Sequence, residues 1–233
     1  MRILAIDTSG PVASAAVWED GVVRAEMVLN VGLTHSQTIM PAVDAVLRAC
    51  DWTCADMDAF AAVAGPGSFT GVRIGVCAVK GMAHALAKPC VQVHALEALA
   101  MQARGFAGTI CPILDARRDQ VYSAAFRFEQ GDLPQRILPD AAQSIGEFMD
   151  SLPAEGALLF LGDGVNKYAG TIEARFGDRA ILASELASLR ASAACAIAAR
   201  RRETWVEASA LVPIYFRAPQ AERERKEREG CAG

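Results

Sequence analysis

The stretch AIDTSGPVASAAVW, Ala5 to Trp18, is echoed in the second half of the chain by ILDARRDQVYSAAF, Ile113 to Phe126. In each, an apolar strand closes on an aspartate, Asp7 or Asp115, and Ser-Ala-Ala returns seven or eight residues later. A chain that repeats its own opening is confined to folds with two like halves, provided the elements around both copies agree. Two alanine-rich strands can also resemble each other by chance, so the flanking elements decide.

Ile3 to Ile6 is a continuous apolar run that suits a buried strand, and Val12 to Trp18 follows the turn-forming Ser9-Gly10-Pro11. Glu19-Asp20-Gly21 then turns the chain into a third strand, Val22 to Leu29. From Ser36 to Ala49 the apolar positions Ile39, Met40, Val43, Val46 and Leu47 recur at helical spacing. Phe60 to Ala64 reads as a strand, Gly71 to Ala87 as a helix and Pro89 to Val93 as a short strand, giving the order βββαβαβ. The order begins again at Thr109. After the echo and a turn at Gln130-Gly131-Asp132 come a strand at Gln135 to Leu138, a helix at Ile145 to Leu152, a strand at Leu158 to Leu161 and a helix at Val165 to Phe176. Leu189 to Arg202 predicts a last long helix, with Leu211 to Phe216 extended after it.

Two copies of βββαβαβ point to an α/β fold of the duplicated actin-like (ASKHA, RNase H-like) kind, in which a nucleotide or substrate lies between lobes. The expected organisation is an N-terminal lobe over 1–104, a C-terminal lobe over 105–204 and a C-terminal segment over 205–233. Eight consecutive charged residues from Glu222 to Glu229 predict that this segment ends as a solvated helix or a disordered tail.

The totals agree with such a fold. Of 233 residues, 52% are hydrophobic but only 6% aromatic, which favours close-packed helices on sheets built from Ala, Val, Leu and Ile. A net charge of -4 and a pI near 5.5 withhold the positive field that proteins gripping a phosphate backbone unaided carry, so any nucleic-acid role is expected to be shared with a partner. Seven cysteines lack a CxxC pair, and Cys50-x3-Cys54 has no second pair to complete a metal site, so all are expected as reduced thiols. The four apolar residues before Asp7 are too few for a signal peptide and no window approaches a membrane span, which predicts a cytoplasmic protein.

The stretch AFAAVAGPGSFTGVRIG, Ala59 to Gly75, looks like a phosphate-binding turn and fails both standard signatures. A Walker loop needs a lysine after its last glycine, where Val72 and Arg73 stand; a dinucleotide fingerprint needs GxGxxG, and Gly65 to Gly71 carries one residue too many. Two readings remain open: a tight strand-to-helix turn, or an anion held by helix-start N–H groups. Beyond the loop, Gly71, Gly75 and Ala78 share one helical face and invite a close helix contact, either within the lobe or between chains.

Candidate catalytic groups are sparse. His35 sits where a cap or polar contact is expected, His84 is on a helix and His94 ends a strand, with no metal spacing among them. Asp7 and Asp115 stand where actin-like ATPases place metal-linked carboxylates. Thr8-Ser9-Gly10 is compatible with that role, but Ala116-Arg117-Arg118 would crowd a phosphate loop. Phe160 to Asn166, FLGDGVN, suits either an adenosine-side loop or a strand-helix turn.

Taken together, the sequence resembles the TsaB family, also called YeaZ, through ILAIDTS, HSQTIMPAVDAVL (35 to 47), AVAGPGSFTGVRIG (62 to 75), HALEALA (94 to 100), DARRDQVY (115 to 122) and VPIYFRAPQAE (212 to 222). The resemblance implies a role in forming N6-threonylcarbamoyladenosine at position 37 of tRNAs that read ANN codons. The related TsaD subunit does the transfer there, and TsaE joins a larger complex. TsaD carries V-H-H-x-x-x-H with two metal-binding histidines, whereas this chain reads Val93-His94-Ala95-Leu96-Glu97-Ala98-Leu99. Ala95 and Leu99 cannot coordinate a cation, so the expectation is a non-catalytic partner of TsaD with no metal, cofactor or catalytic residue of its own. It would reach tRNA only through the complex and be able to pair with a second copy when alone. The implied partner surface comprises His35, Ser36, Ile39 and Met40 on one helix with Gly71, Gly75, Ala78 and Met82 on the next. The competing expectation is an enzyme, either an ATP-dependent kinase-like protein of this fold or a glycoprotease-like metallopeptidase.

Overall fold

The structure is a computed structural model that describes residues 1–129 and 131–216, so the expected charged tail from Glu222 to Glu229 lies outside the described residues. Strands β1 (Arg2–Asp7), β2 (Ala13–Glu19) and β3 (Val22–Leu29) form an antiparallel meander. Helix α1 (His35–Ala49), β4 (Ala59–Val63), α2 (Phe69–Leu86) and β5 (Cys90–Val93) follow, with β4 parallel to both β1 and β5. Helix α3 (Ala95–Gln102) leads to the second copy: β6 (Thr109–Asp115), β7 (Gln120–Arg127), β8 (Gln135–Ser144), α4 (Ile145–Ser151), β9 (Leu158–Leu161), α5 (Val165–Phe176) and β10 (Ala180–Leu182), then α6 (Ala191–Arg200). The sheets run β3-β2-β1-β4-β5 and β8-β7-β6-β9-β10, one topology drawn twice. The duplicated order read from the sequence is therefore the architecture of the molecule.

Each central strand is buried on both faces, which explains its unbroken apolar run. One face of the first sheet packs Leu4, Ile6 and Phe60 against Ile39, Val43 and Val46 of α1 and Val72, Val76 and Val79 of α2. The outer face of the second packs Cys111, Ile113 and Val121 against Phe148 of α4 and Val165, Tyr168 and Ile172 of α5. Between the sheets lies a shared core of Ile3, Ala5, Trp18, Leu96, Leu99, Ile110, Phe126 and Ile197.

That middle layer holds an element absent from the βββαβαβ reading. Helix α3 packs on β6 and β7, while α6 packs on β1 and β2, so the second copy's last helix serves the first sheet and α3, which precedes β6, serves the second. Both helices are rich in alanine and buried nearly all round, as helices squeezed between two sheets must be. Polar groups lock the exchange. The Ser14 hydroxyl in β2 accepts from Ala191 N at 3.0 Å at the start of α6, and Ser192 N donates to Glu26 Oε1 at 2.9 Å.

Chain order is crossed once more after α6. Val206 bridges Cys90 at the edge of β5, and Ile214 N donates to Ala64 O at 2.7 Å. The segment that follows the second copy thus returns to the first sheet.

Candidate functional site

The loop from Gly65 to Gly71 joins β4 to α2 and closes on the end of β1. Ser68 N donates to Ser9 O at 2.7 Å, Thr8 Oγ1 donates to Gly71 O at 2.7 Å, and Ser68 caps α2 by accepting from Gly71 N at 3.3 Å. The glycines are there because backbone meets backbone. A Cβ on Gly67 would fall on the Ser9 carbonyl, one on Gly71 on the Thr8 carbonyl, and one on Gly75 within 2.5 Å of Thr8 Oγ1. Gly65, at φ +115, would meet Ile214 O at 2.5 Å. Of the two open readings, the strand-to-helix turn is the one built here, with Ser68 N and Gly71 N turned to Ser9 O and the Ser68 hydroxyl. Within the chain, the small face lies against β1: Gly71 and Gly75 are buried beside Thr8 in their own lobe.

The remaining residues of the implied partner surface divide. Ile39 is buried under α1, Ala78 and Met82 are half-buried, and His35 is half-buried with Nε2 2.8 Å from Gly10 O, a polar contact at the start of α1. Ser36 and Met40 are exposed. Sequence periodicity missed the apolar groups that do reach the outer side of α2. Phe69 stacks on Tyr215 at 5.0 Å, Arg73 lies 3.8 Å over the Phe69 ring and donates to Tyr215 Oη at 2.7 Å, and Ile74 and Cys77 continue the strip. Tyr215 arrives from the far end of the chain, so only the fold brings it there.

The two aspartates have different surroundings. Asp7 is buried, accepts from Ser9 N at 2.9 Å, and is pushed up to about 6 by burial, against the opposing pull of Ser9 and of charge on His35. Asp115 is exposed, accepts from Arg117 N at 3.0 Å and lies 3.4 Å from Lys167 Nζ. Its turn holds Arg117, Arg118 and Asp119 at φ +60, +51 and +56, a conformation that costs a non-glycine residue about 1 kcal/mol or more. Phe160 to Asn166 is a strand-helix turn: Gly164 N donates to Ile113 O at 3.1 Å, Asp163 Oδ1 accepts from Asp115 N at 2.8 Å, and a Cβ on Gly162 would fall on the Ile113 carbonyl. Ala95 and Leu99 are wholly buried in the shared core. Among the described residues, no three His, Cys, Asp or Glu side chains gather as a metal set, and no helix is long and apolar enough to cross a membrane.

A family model described as TsaD, tRNA N6-adenosine threonylcarbamoyltransferase, matches residues 30–224. The tRNA threonylcarbamoyladenosine biosynthesis protein TsaB of Bacillus subtilis is 34% identical over 223 residues, 95% of this chain and 96% of that protein. YeaZ from Pseudomonas aeruginosa superposes with a TM-score of 0.78 at 28% identity, over 92% of this chain and 99% of its own. Component A of the (R)-2-hydroxyglutaryl-CoA dehydratase of Acidaminococcus fermentans superposes with a TM-score of 0.53 at 14% identity, over 87% of this chain and 99% of its own, a likeness of fold alone. The chain belongs to the TsaB (YeaZ) family, and its fold is the duplicated actin-like one.

Proposed function

We propose that this protein is a non-catalytic partner of TsaD in the formation of N6-threonylcarbamoyladenosine on tRNA. The observation that carries the reading is the burial of Ala95 and Leu99: apolar side chains fill the positions at which the TsaD motif presents histidines, and both are sealed in the core between the sheets. A side chain that ligates a metal has no apolar substitute. The name of the Bacillus subtilis relative supports the pathway. The ATP-dependent reading finds less support, because the turn after Asp115 carries Arg117 and Arg118 where a phosphate loop takes small residues.

The partner surface belongs on the outer side of α1 and α2, where Ser36 and Met40 are exposed on α1 and Arg73 and Cys77 on α2, the latter two beside the Phe69–Tyr215 stack. Gly71 and Gly75 act behind it, by letting α2 sit close to β1. TsaD occupies this face in the working complex, and a second copy can take its place. TsaE joins the assembly, and tRNA is reached through it.

The test combines the purified chain with TsaD of the same organism, tRNA and threonylcarbamoyl-AMP. Complex formation is followed by size-exclusion chromatography with light scattering, and modification by mass spectrometry of nucleosides. The expected result is a complex with TsaD and no transfer by this chain alone. Transfer without TsaD would overturn the non-catalytic reading, and failure to form a complex would overturn the partner reading.

A further inference from the structure

A cavity of about 660 Å³ is walled by His94 and Glu97 at the start of α3, Phe126 of β7, Arg136 of β8, and Arg200 and Arg201 at the end of α6. It is separate from the aspartate turns. Phe126 pairs with Arg136 near one end of the β7–β8 ladder, whereas Gln120 pairs with Ser144 at the other end, beside the Asp115 turn.

Three guanidinium groups converge here in a chain of net charge -4. Two are pinned by buried carboxylates. Arg201 grips Glu97 with both ends, at 2.5 Å to Oε1 and 3.1 Å to Oε2. Arg136 pairs with Asp140 Oδ1 and lies 4.7 Å over the Phe126 ring, while Asp140 Oδ2 stands 3.1 Å from His94 Nδ1. Each carboxylate has one oxygen in a hydrogen bond, Glu97 Oε2 and Asp140 Oδ2, and the other against a guanidinium as an ion pair. Arg200 differs: Nη1 donates to Ala196 O at 2.9 Å, but its buried Nε has no hydrogen-bond partner among the described residues, with Asp132 Oδ2 3.5 Å away. Asp132 is 56% exposed, stands on the loop before β8 and is shared with Arg104. Burial, and then the charge of Arg136, lower the His94 pKa, so that ring adds no standing charge near neutral pH. Arg136, Arg200 and Arg201 against Glu97 and Asp140 leave one positive charge, three less two, answered among the described residues by the exposed loop carboxylate of Asp132.

We propose that this cavity binds a small organic anion whose carboxylate or phosphate takes the place of Asp132 at Arg200, with its body against Phe126 and Leu133. The volume suits a metabolite-sized ligand, and a guanidinium held from one side presents its free N–H edge in the geometry that such oxyanions match. Asp132 is then a built-in competitor for the site. The proposal goes beyond the partner role, since neither Arg200 nor Asp132 lies on α1 or α2.

The test is isothermal titration of the full chain with malonate, inorganic phosphate and AMP, repeated on Asp132→Asn and Arg200→Gln. At least one probe should bind the unmodified chain saturably. It should bind Asp132→Asn about threefold more tightly, the gain from removing a half-exposed competing carboxylate, and Arg200→Gln at least about tenfold more weakly. Binding of malonate alone assigns a carboxylate ligand; binding of phosphate and AMP assigns a phosphate one. Saturable binding of none of the three, an affinity unmoved in Asp132→Asn, or one retained in Arg200→Gln overturns the proposal. The Asp132→Asn result decides by itself where Arg200→Gln does not fold.

Discussion

In the first lobe the glycine loop after β4 closes on Thr8 and Ser9, and in the second Gly162 after β9 closes on Ile113. The same device stands at the same place in both copies, a strand-to-helix turn whose glycines let the backbone touch the end of the central strand. What surrounds it differs. Helices α1 and α2 have 15 and 18 residues, whereas α4 and α5 have 7 and 12. Asp7 is sealed beneath the first loop, while Asp115 stays at the surface with Lys167. The returning C-terminal segment adds Tyr215 to the first lobe alone. Topology was therefore duplicated without duplicating use: the first copy carries a long two-helix face, and the second carries a short, charged, open turn.

The comparison breaks first at the glycines. Gly71→Ala and Gly162→Ala should each cost about 3 kcal/mol or more, because the added methyl group meets a carbonyl rather than a yielding side chain. Urea denaturation of the two variants would measure this. A loss below about 1 kcal/mol in one lobe only would show that the two turns are not the same device.

Asp7→Asn and Asp115→Asn probe the buried and open copies of the aspartate. The Asp7 carboxyl is raised to about 6 in the folded state, against about 4 in an unfolded chain. The folded protein therefore holds this proton more tightly, and stability falls as pH rises from about 4 through about 6, by up to about 3 kcal/mol. Asp7→Asn should recover most of that at pH 8 and flatten the profile between pH 4 and 6, whereas Asp115→Asn should stay within about 0.5 kcal/mol. Parallel denaturation series at both pH values are the measurement; an unchanged profile in Asp7→Asn would place the titrating group elsewhere.

Met40 on α1 and Ile181 on β10 are both 44% exposed, which makes them a matched pair for testing the proposed partner surface. Met40→Glu should weaken TsaD binding about tenfold or more, a loss of about 1.5 kcal/mol, and Ile181→Glu should leave it alone. Titration of each variant with TsaD separates them, and equal effects would remove the distinction drawn between the lobes.

The smallest effect belongs to Gly81, which lies exposed in α2 with no atom within 4 Å of where a methyl group would sit. Gly81→Ala should stabilise the protein by about 0.5–1 kcal/mol, since only the helix propensity changes. Destabilisation in a melting experiment would mean that α2 is more crowded on its outer side than its exposure indicates.

By itself the sequence determined most of the elements, because alternation of apolar and polar residues is a local record of which face each segment buries. The repeated aspartate-closed strand, the five strands and two helices of the first copy, and the position of the glycine block could all be read from it. Helix α3 was missed because ALEALAMQ is apolar nearly all round, which leaves no face for periodicity to mark. Strand β10 is three residues long and offers too little pattern. Tertiary structure decided what the glycines face, since a small residue permits close approach without saying whose backbone approaches; Thr8 and Gly71 meet across 63 positions. It also decided the exchange of α3 and α6 between sheets, the return of Tyr215 to Arg73 across 142 positions, and the pairing of Glu97 with Arg201 across 104. Those contacts depend on how finished elements stack, and nothing in a segment's own period encodes its distant neighbour.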